Sequence, residues 1–577
     1  MFNPFDDMGG KFVARLKRNK LSERRTSSGR GEIQITAPVS IIEIKFDLDV
    51  LDRLYKPGFV AIEAPKGQNE YLIFEVIAPK PVHFQMLGIS QDVPTVLREE
   101  FLNTIKKGWR GSEETWIDVY LAPTHYKMKL DGGPKFERSL VMPLVGAYAY
   151  MLSKEAVSEF LCVRDGVRIG EMMGFEIPLT VDLESMLKYH TGAFGFTGTG
   201  KSNLTSFILR EVLDRTDVNV IVMDLAGEYS VYLLDRLLED GVVYSTEEFK
   251  EPERFLDAQA IPESLGEKMD LDILYEGARR LFEKGAVKGL SLEEEIGTLG
   301  FFYEALGRLT RSDRAGTFQI EMMLRKLERD MREMGYGEDA RLSELGEEAL
   351  EHLIRTLSDI KGYLSSKSDA AKQVNYMIKL LEEPLALEFD GKERPEDVVH
   401  DVLTEGPRIT VVYEPDPVKA RAVASRMIDR LLYLKKVMGA RKRVLFVLDE
   451  AQEFIPSDTK AKGSAESNVR VEALLRQGRK YRAHCWISTQ RVAHLNVNAL
   501  QQLHSYFLSV LPRTYDRAVI ADAFSLNYEL LEKCTELETG EWIFVSYKAT
   551  KQRNVPVFVR VPDNELLLAE GLKRLKA

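Results

Sequence analysis

Three patterns of apolar and polar positions succeed one another along the chain. Up to about residue 145, apolar residues come in short β-branched or aromatic runs. Ile33-Gln34-Ile35, Ile41 to Ile44, Phe59 to Ile62 and Tyr71 to Ile77 are of this kind. Pro65-Lys66-Gly67-Gln68-Asn69 gives turn chemistry between the last two, and Trp116 to Leu121 reads as a further strand. Short strands with polar turns predict a small barrel or sandwich.

From about residue 188 the pattern becomes α/β. Ala193-Phe194 ends a short strand, and Leu204, Phe207, Ile208 and Val212 then recur at helical spacing. Val218 to Met223 is a dense apolar run suited to a parallel strand covered on both faces. The pattern resumes at Ile409 to Tyr413, with a helix from about Val418 to Val437 and a strand at Val444 to Leu448. Apolar runs at 484–488, 506–511, 542–547 and 555–561 continue the sheet. The stretch from 262 to about 390 differs: Leu350, Leu353, Ile354, Leu357 and Ile360 mark one helical face amid many Glu, Lys and Arg. It reads as a helical insertion with a solvated charged face.

The predicted fold is α/β: a RecA-like P-loop core, a β-rich N-terminal barrel domain and a helical insertion. The predicted division is a basic leader over 1–30 and the β-rich domain with its connector over 31–180. The core follows in two parts, 181–261 and 401–562, separated by the insertion at 262–400. A tail closes the chain at 563–577.

Composition narrows the class. The 577 residues are 44% hydrophobic and 29% charged, as expected of a soluble globular protein of several domains. No run of about 18 apolar residues occurs, so no membrane span is expected. The N-terminus lacks a secretory apolar core, which predicts a cytoplasmic location. Cys162, Cys485 and Cys534 lie far apart without metal-ligand spacing and read as small hydrophobes in a reducing compartment. A net charge of −11 excludes a protein whose whole surface coats nucleic acid, so any such contact must be local. The local basic patch is Lys11, Arg15, Lys17, Arg18, Lys20, Arg24, Arg25 and Arg30 against Glu23 alone. Two readings stand for it: a solvated tail, or a docking segment for nucleic acid or a partner.

The chemistry starts at Gly195-Phe196-Thr197-Gly198-Thr199-Gly200-Lys201-Ser202, which fits G-x-x-x-x-G-K-[ST] between a strand and a helix. Gly195, Gly198 and Gly200 free the backbone to turn its N–H groups, with those of Thr197 and Thr199, toward phosphate oxygens. Lys201 is expected to bridge the β- and γ-phosphates of ATP and Ser202 to ligate Mg²⁺, with Asn203 next in the helix. Asp449 and Glu450 end the apolar strand 444–448; one carboxylate is expected in the Mg²⁺ shell, the next to orient and deprotonate water. The competing reading of Asp449 is a helix cap. Asp224 and Glu228 follow another parallel strand and suit either metal or water support, or simple loop capping. Gln490 is a candidate γ-phosphate sensor or a surface turn residue. Arg476 and Arg479 suit a guanidinium reaching a neighbouring subunit's phosphates, or a basic helix end. Lys460, Lys462 and Arg470 lie in a polar stretch, 457–470, expected to be a loop that either touches a DNA backbone or is plain surface. The paired acids, without an acceptor-site motif, favour hydrolysis over phosphotransfer.

At these residues the chain resembles the HerA family of hexameric DNA translocases, within the FtsK–HerA group. The resemblance rests on His190 to Asn203, Asp224 to Tyr229, Val447 to Phe454 and Gln477 to Arg491, and extends over most of 180–560. The β-rich region looks like that family's barrel domain. The resemblance implies a homo-hexameric ring around double-stranded DNA with ATP at subunit interfaces. It implies ATP-driven translocation or helicase action coupled to a NurA-like nuclease in DNA end resection and double-strand break repair. It also implies that Arg476 or Arg479 is the finger and Gln490 the sensor. Some relatives pair with other nucleases in antiviral defence, so a regulatory ring that activates an effector nuclease is the alternative.

Overall fold

A computed structural model describes the chain apart from residues 1–2, 29–30, 68, 85–93, 109–113, 293–298, 301, 304–305, 307–316, 338–339, 341, 343–344, 365–368, 383–391 and 577. The chain divides into two compact units, one of residues 1–290 with 395–577, the other of residues 291–394.

The first unit opens with an eight-stranded antiparallel sheet. The predicted runs at 33–35 and 41–44 merge into one strand, Gly31–Lys45; those at 59, 71 and 116 become Phe59–Glu63, Glu70–His83 and Thr115–Lys129. Tyr148–Leu152 pairs with Ala14–Ser28 on one side and with Phe59–Glu63 on the other, so the pairings run round a cycle. Ile42, Ile44, Val60, Ile62, Phe74 and Val119 fill its interior.

The basic leader is not a tail. Residues 14–28 form a strand paired along its length with Gly31–Lys45. Two of the strand's cations have acidic partners: Lys17 Nζ sits 2.9 Å from Asp118 and 3.0 Å from Glu43, and Arg24 Nε 3.1 Å from Glu529. Alternating charged and apolar residues hid this strand, because ion pairs on one face replace the usual uncharged polar side chains. Arg30 lies outside the described residues.

The second sheet of this unit has twelve strands. Its centre is parallel: Thr191–Phe194 lies between Ala483–Thr489 and Ser505–Leu508, and Asn219–Asp224 between Val444–Leu448 and Ile409–Tyr413. Every residue of these central strands is buried, as the unbroken apolar runs require of strands covered on both faces. Glu541–Ser546 and Val557–Arg560 extend the sheet antiparallel, and the hairpin Val167–Met172/Ile177–Val181 joins beyond them. The carboxyl ends of the parallel strands form one edge, where a ligand crevice is expected.

Three boundaries move. Residues 262–290 and 395–400, grouped with the helical insertion on sequence, belong to the first unit: the helix Leu271–Glu283 packs into its core and Val287–Gly289 pairs with Gly241–Ser245. Residues 563–577 are not a tail either. Asn564–Lys576 is a helix whose Leu568, Ala569 and Leu572 are buried in the main core.

The second unit contains the helices Thr317–Glu333, Glu347–Tyr363 and Asp369–Glu382. Leu353, Leu357 and Ile360 pack with Leu327, Met331 and Val374 in a core of their own. That is the face the helical spacing marked. Cys162, Cys485 and Cys534 are free, the last two buried. No helix among the described residues is long and apolar enough to cross a membrane.

Candidate active site

The loop after Thr191–Phe194 turns through left-handed glycines, Gly198 at φ +80° and Gly200 at φ +90°, a conformation costly to any residue with a Cβ. The helix Lys201–Arg215 starts directly after it. Thr199 Oγ1 donates to the Phe196 carbonyl at 2.8 Å, and Lys201 Nζ lies 3.4 Å from the same oxygen. A cavity of about 570 Å³ opens over this turn. Thr197, Gly198, Gly200, Lys201, Ser202 and Asn203 line one side, and Asp449 and Glu450 reach the same space. The lysine and the twin acids, far apart in sequence, therefore share one pocket. Gly195 and Thr199 do not line it; Gly195 leaves room for the Thr199 side chain, whose Oγ1 would lie 2.6 Å from an added Cβ.

The acids differ. Asp449 is buried at the strand end and accepts from Ser488 Oγ. Burial pushes its carboxyl up to about 7; the Ser488 bond opposes this, and Glu228, Glu450 and Asp224 add to it. Glu450 follows at φ +46°, left-handed for a non-glycine residue, a strained geometry of the kind found at working sites. Two amides hold its carboxylate: Gln490 Nε2 donates to Oε1 at 3.1 Å and Gln452 Nε2 to Oε2 at 2.8 Å. Gln490 Oε1 in turn accepts from Thr197 Oγ1 of the phosphate loop. Gln490 thus links the loop to Glu450 within hydrogen-bond reach of both.

Glu228 lines the cavity and accepts from Ser202 Oγ. The Asp224 oxygens accept from the backbone N–H groups of Gly227 at 2.8 Å, Glu228 at 3.2 Å and Tyr229 at 2.9 Å, and Asp224 is not among the residues that line the cavity. Its burial lifts it to about 6 against the downward pull of those three bonds, with Glu228 adding to the rise. These three bonds hold the turn that carries Glu228.

The remaining candidates lie apart. Arg476 is exposed and ion-paired with Glu472 one turn back, while exposed Arg479 lies 5.1 Å over the Tyr189 ring. Neither lines the cavity. The expected loop 457–470 is shorter than predicted, because the helix Ser464–Gln477 takes its second half. Arg470, on that helix, pairs with Asp429 at 2.9 Å. Lys460 is 89% exposed, and the Lys462 carbonyl accepts from Arg421 at 3.0 Å.

Several contacts went unforeseen. Thr539 Oγ1 donates to the Gly198 carbonyl at 3.0 Å and Gly540 N–H to the Thr199 carbonyl at 3.1 Å, so the start of a late strand clasps the phosphate loop. Glu538-Thr539-Gly540 is legible as a turn, but nothing local says which loop it meets. Gln452, two residues past Glu450, was visible only as a polar residue beside the acids.

No group of three or more His, Cys, Asp or Glu side chains among the described residues forms a metal cage. What the pocket offers is Ser202 and Asp449, hard oxygen donors beside further carboxylates whose mutual repulsion a cation relieves. That donor set fits Mg²⁺, which takes few protein ligands and fills its shell from phosphates and water.

A glycine turn capping a helix at the carboxyl edge of a parallel sheet, with two acids facing it from a neighbouring strand, defines a P-loop nucleotide-binding domain. Residues 167–431 match the family model described as helicase HerA, central domain. Asp449, Glu450 and Gln490 lie beyond the matched span. Among solved structures, VirB4 of Thermoanaerobacter pseudethanolicus is similar at 14% identity over 70% of this chain and 98% of its own, with a TM-score of 0.38. The bacterial conjugative coupling protein TrwBdeltaN70 is similar at 13% identity over 71% and 93%, TM-score 0.36. The pCW3 conjugation coupling protein TcpA, solved with ATPgS, is similar at 12% identity over 90% and 94%, TM-score 0.29. No curated protein matches.

Proposed function

We propose that the protein is an ATP-hydrolysing DNA translocase or helicase that works as a homo-hexamer around double-stranded DNA. Its partner is a NurA-like nuclease, and its setting is DNA end resection and double-strand break repair. One observation carries the hydrolytic part: Gln490 joins Thr197 of the phosphate loop to Glu450, while Lys201, Ser202, Asp449 and Glu450 face one cavity.

Lys201 and the loop N–H groups hold the β- and γ-phosphates and offset charge as the terminal phosphoryl departs. Glu450 orients a water in line and takes its proton. Gln490 reports γ-phosphate occupancy because its amide touches both the loop and that base. Ser202 and Asp449 would hold Mg²⁺, which would supply charge neutralisation to the phosphates. Arg476 or Arg479, exposed and outside its own cavity, serves the site of the adjacent subunit. Lys460, Lys462 and Arg470 meet the DNA backbone. The cyclic strand pairing of the N-terminal sheet supports a barrel there, and the self-contained helical core of 291–394 supports an insertion.

The test has two parts. Mass measurement with an ATP analogue and duplex DNA should give six copies. ATP-fuelled displacement of a protein roadblock from duplex DNA should then be seen. A strict monomer contradicts the ring, and nuclease activation without displacement favours the regulatory ring instead.

A further inference from the structure

The cavity extends past the triphosphate groups to a wall that the hydrolytic chemistry leaves unused. This wall is the segment leading into the C-terminal helix. Asn203, next to Ser202 in the first turn of the phosphate-loop helix, ties it down from both ends. Its Nδ2 donates to the Pro562 carbonyl at 3.0 Å, and its Oδ1 accepts from the Asn564 N–H at 2.7 Å. Asp563, between them, is therefore fixed one side chain away from the phosphate loop and lines the cavity. On the triphosphate reading of the pocket, this is where the sugar would emerge beyond the α-phosphate.

A carboxylate beside phosphates needs a counter-charge, and Lys268 supplies it. Its Nζ lies 2.6 Å from Asp563 Oδ2 and 2.7 Å from Glu565 Oε2. The two acids are not equivalent. Glu565 is nearly buried, and both its oxygens accept from Ser264 Oγ at 2.9 Å, besides the Lys268 bond. Its role is to position Lys268. Asp563 is 36% exposed, and among the described residues its oxygens accept from Lys268 and from the Glu565 N–H at 2.9 Å. An ionised carboxylate has about four acceptor sites, so each Asp563 oxygen keeps one free toward the cavity.

We propose that Asp563 reads the sugar: its carboxylate accepts hydrogen bonds from the 2′- and 3′-hydroxyls of a bound nucleoside triphosphate, and the site thereby selects ribonucleotides over 2′-deoxyribonucleotides. This rests on the triphosphate reading of the pocket. The chemistry is that of an acidic side chain on a ribose 2′-hydroxyl in other nucleotide folds. A lost bond to a charged acceptor weakens binding about ten-fold or more.

The experiment compares ATP with 2′-dATP on the full chain, by steady-state turnover and by calorimetric binding. The wild type should bind ATP about ten-fold more tightly than dATP and turn both over at similar kcat. Asp563→Asn, which keeps the shape but weakens the acceptor, should reduce this preference, and Asp563→Ala should bring it to about one. Equal affinities in the wild type, or a full preference in folded Asp563→Ala, overturns the assignment. Should Asp563→Ala fail to fold, an undiminished preference in Asp563→Asn overturns it. Binding without hydrolysis of either nucleotide counts against the hydrolase reading alone, and the affinity ratio still decides the sugar contact. Binding of neither overturns both.

Discussion

Glu450→Gln isolates the proton-accepting step. The substitution keeps the side chain's shape and removes its basicity. A positioned general base contributes about 10²–10⁴-fold, which is about 2.7–5.4 kcal/mol of barrier at about 1.36 kcal/mol per decade. The contacts place this case in the upper half of that range. Both oxygens of Glu450 are used as acceptors, by Gln490 at 3.1 Å and Gln452 at 2.8 Å. An amide has one acceptor oxygen, so one donor would face an N–H group, and the link from Thr197 through Gln490 would weaken together with the base. The expected loss of turnover is about 10³–10⁴-fold. The folding cost is about 0.5–1.5 kcal/mol, one partly exposed hydrogen bond. Nucleotide affinity should persist, because Lys201 and the loop N–H groups are untouched. Phosphate release under saturating ATP, with calorimetric ATP binding alongside, measures both quantities. Lys201→Ala is the contrast and should lose binding and turnover together. A Glu450→Gln protein that keeps more than about a tenth of the wild-type rate, or loses ATP as Lys201→Ala does, would refute the assignment of the base.

Two further outcomes concern stability. Arg210, in the phosphate-loop helix, is paired with Asp235 at 2.6 Å, the side chains only 5% and 4% exposed; Asp235→Ala should cost about 3–5 kcal/mol by stranding the guanidinium, read as a lower denaturant midpoint, and an unchanged midpoint would show the pair to be dispensable. His190 and His484 are pushed down from the ordinary 6.5 to about 3 and about 4, burial being the main cause in each and nearby cationic or histidine groups adding to it. His190 Nδ1 accepts from the Cys485 N–H at 3.0 Å, which a neutral ring alone permits. As pH falls below 6.5 the unfolded chain takes up these protons and the native protein does not until about 4 and 3, so stability should drop between those values. Thermal midpoints measured across that window should fall less steeply in His484→Gln, and parallel curves for the two proteins would exclude the histidine contribution.

The residues themselves determined the hydrolytic vocabulary. The glycine spacing before Lys201, the acids after Val444–Leu448 and the dense apolar runs are local facts: each follows from what one turn, one strand end or one doubly covered strand demands of its side chains. The independent core of 291–394 was likewise written in the spacing of Leu353, Leu357 and Ile360. Charge patterning misled where tertiary contacts supplied the counter-ions, as in Ala14–Ser28, whose Lys17 meets Glu43 and Asp118 and whose Arg24 meets Glu529. The role of Asp224 turned on three backbone amides that only a folded turn presents. Most of the cavity's far wall was invisible for the same reason. Asp563, Lys268 and Thr539 lie hundreds of positions from one another or from the phosphate loop, and no periodicity links them. Which strands become neighbours is a matter of sheet order, and sheet order is set by long-range packing. The chain's local patterns thus fixed what kind of chemistry the protein carries, and the tertiary structure decided which side chains surround it.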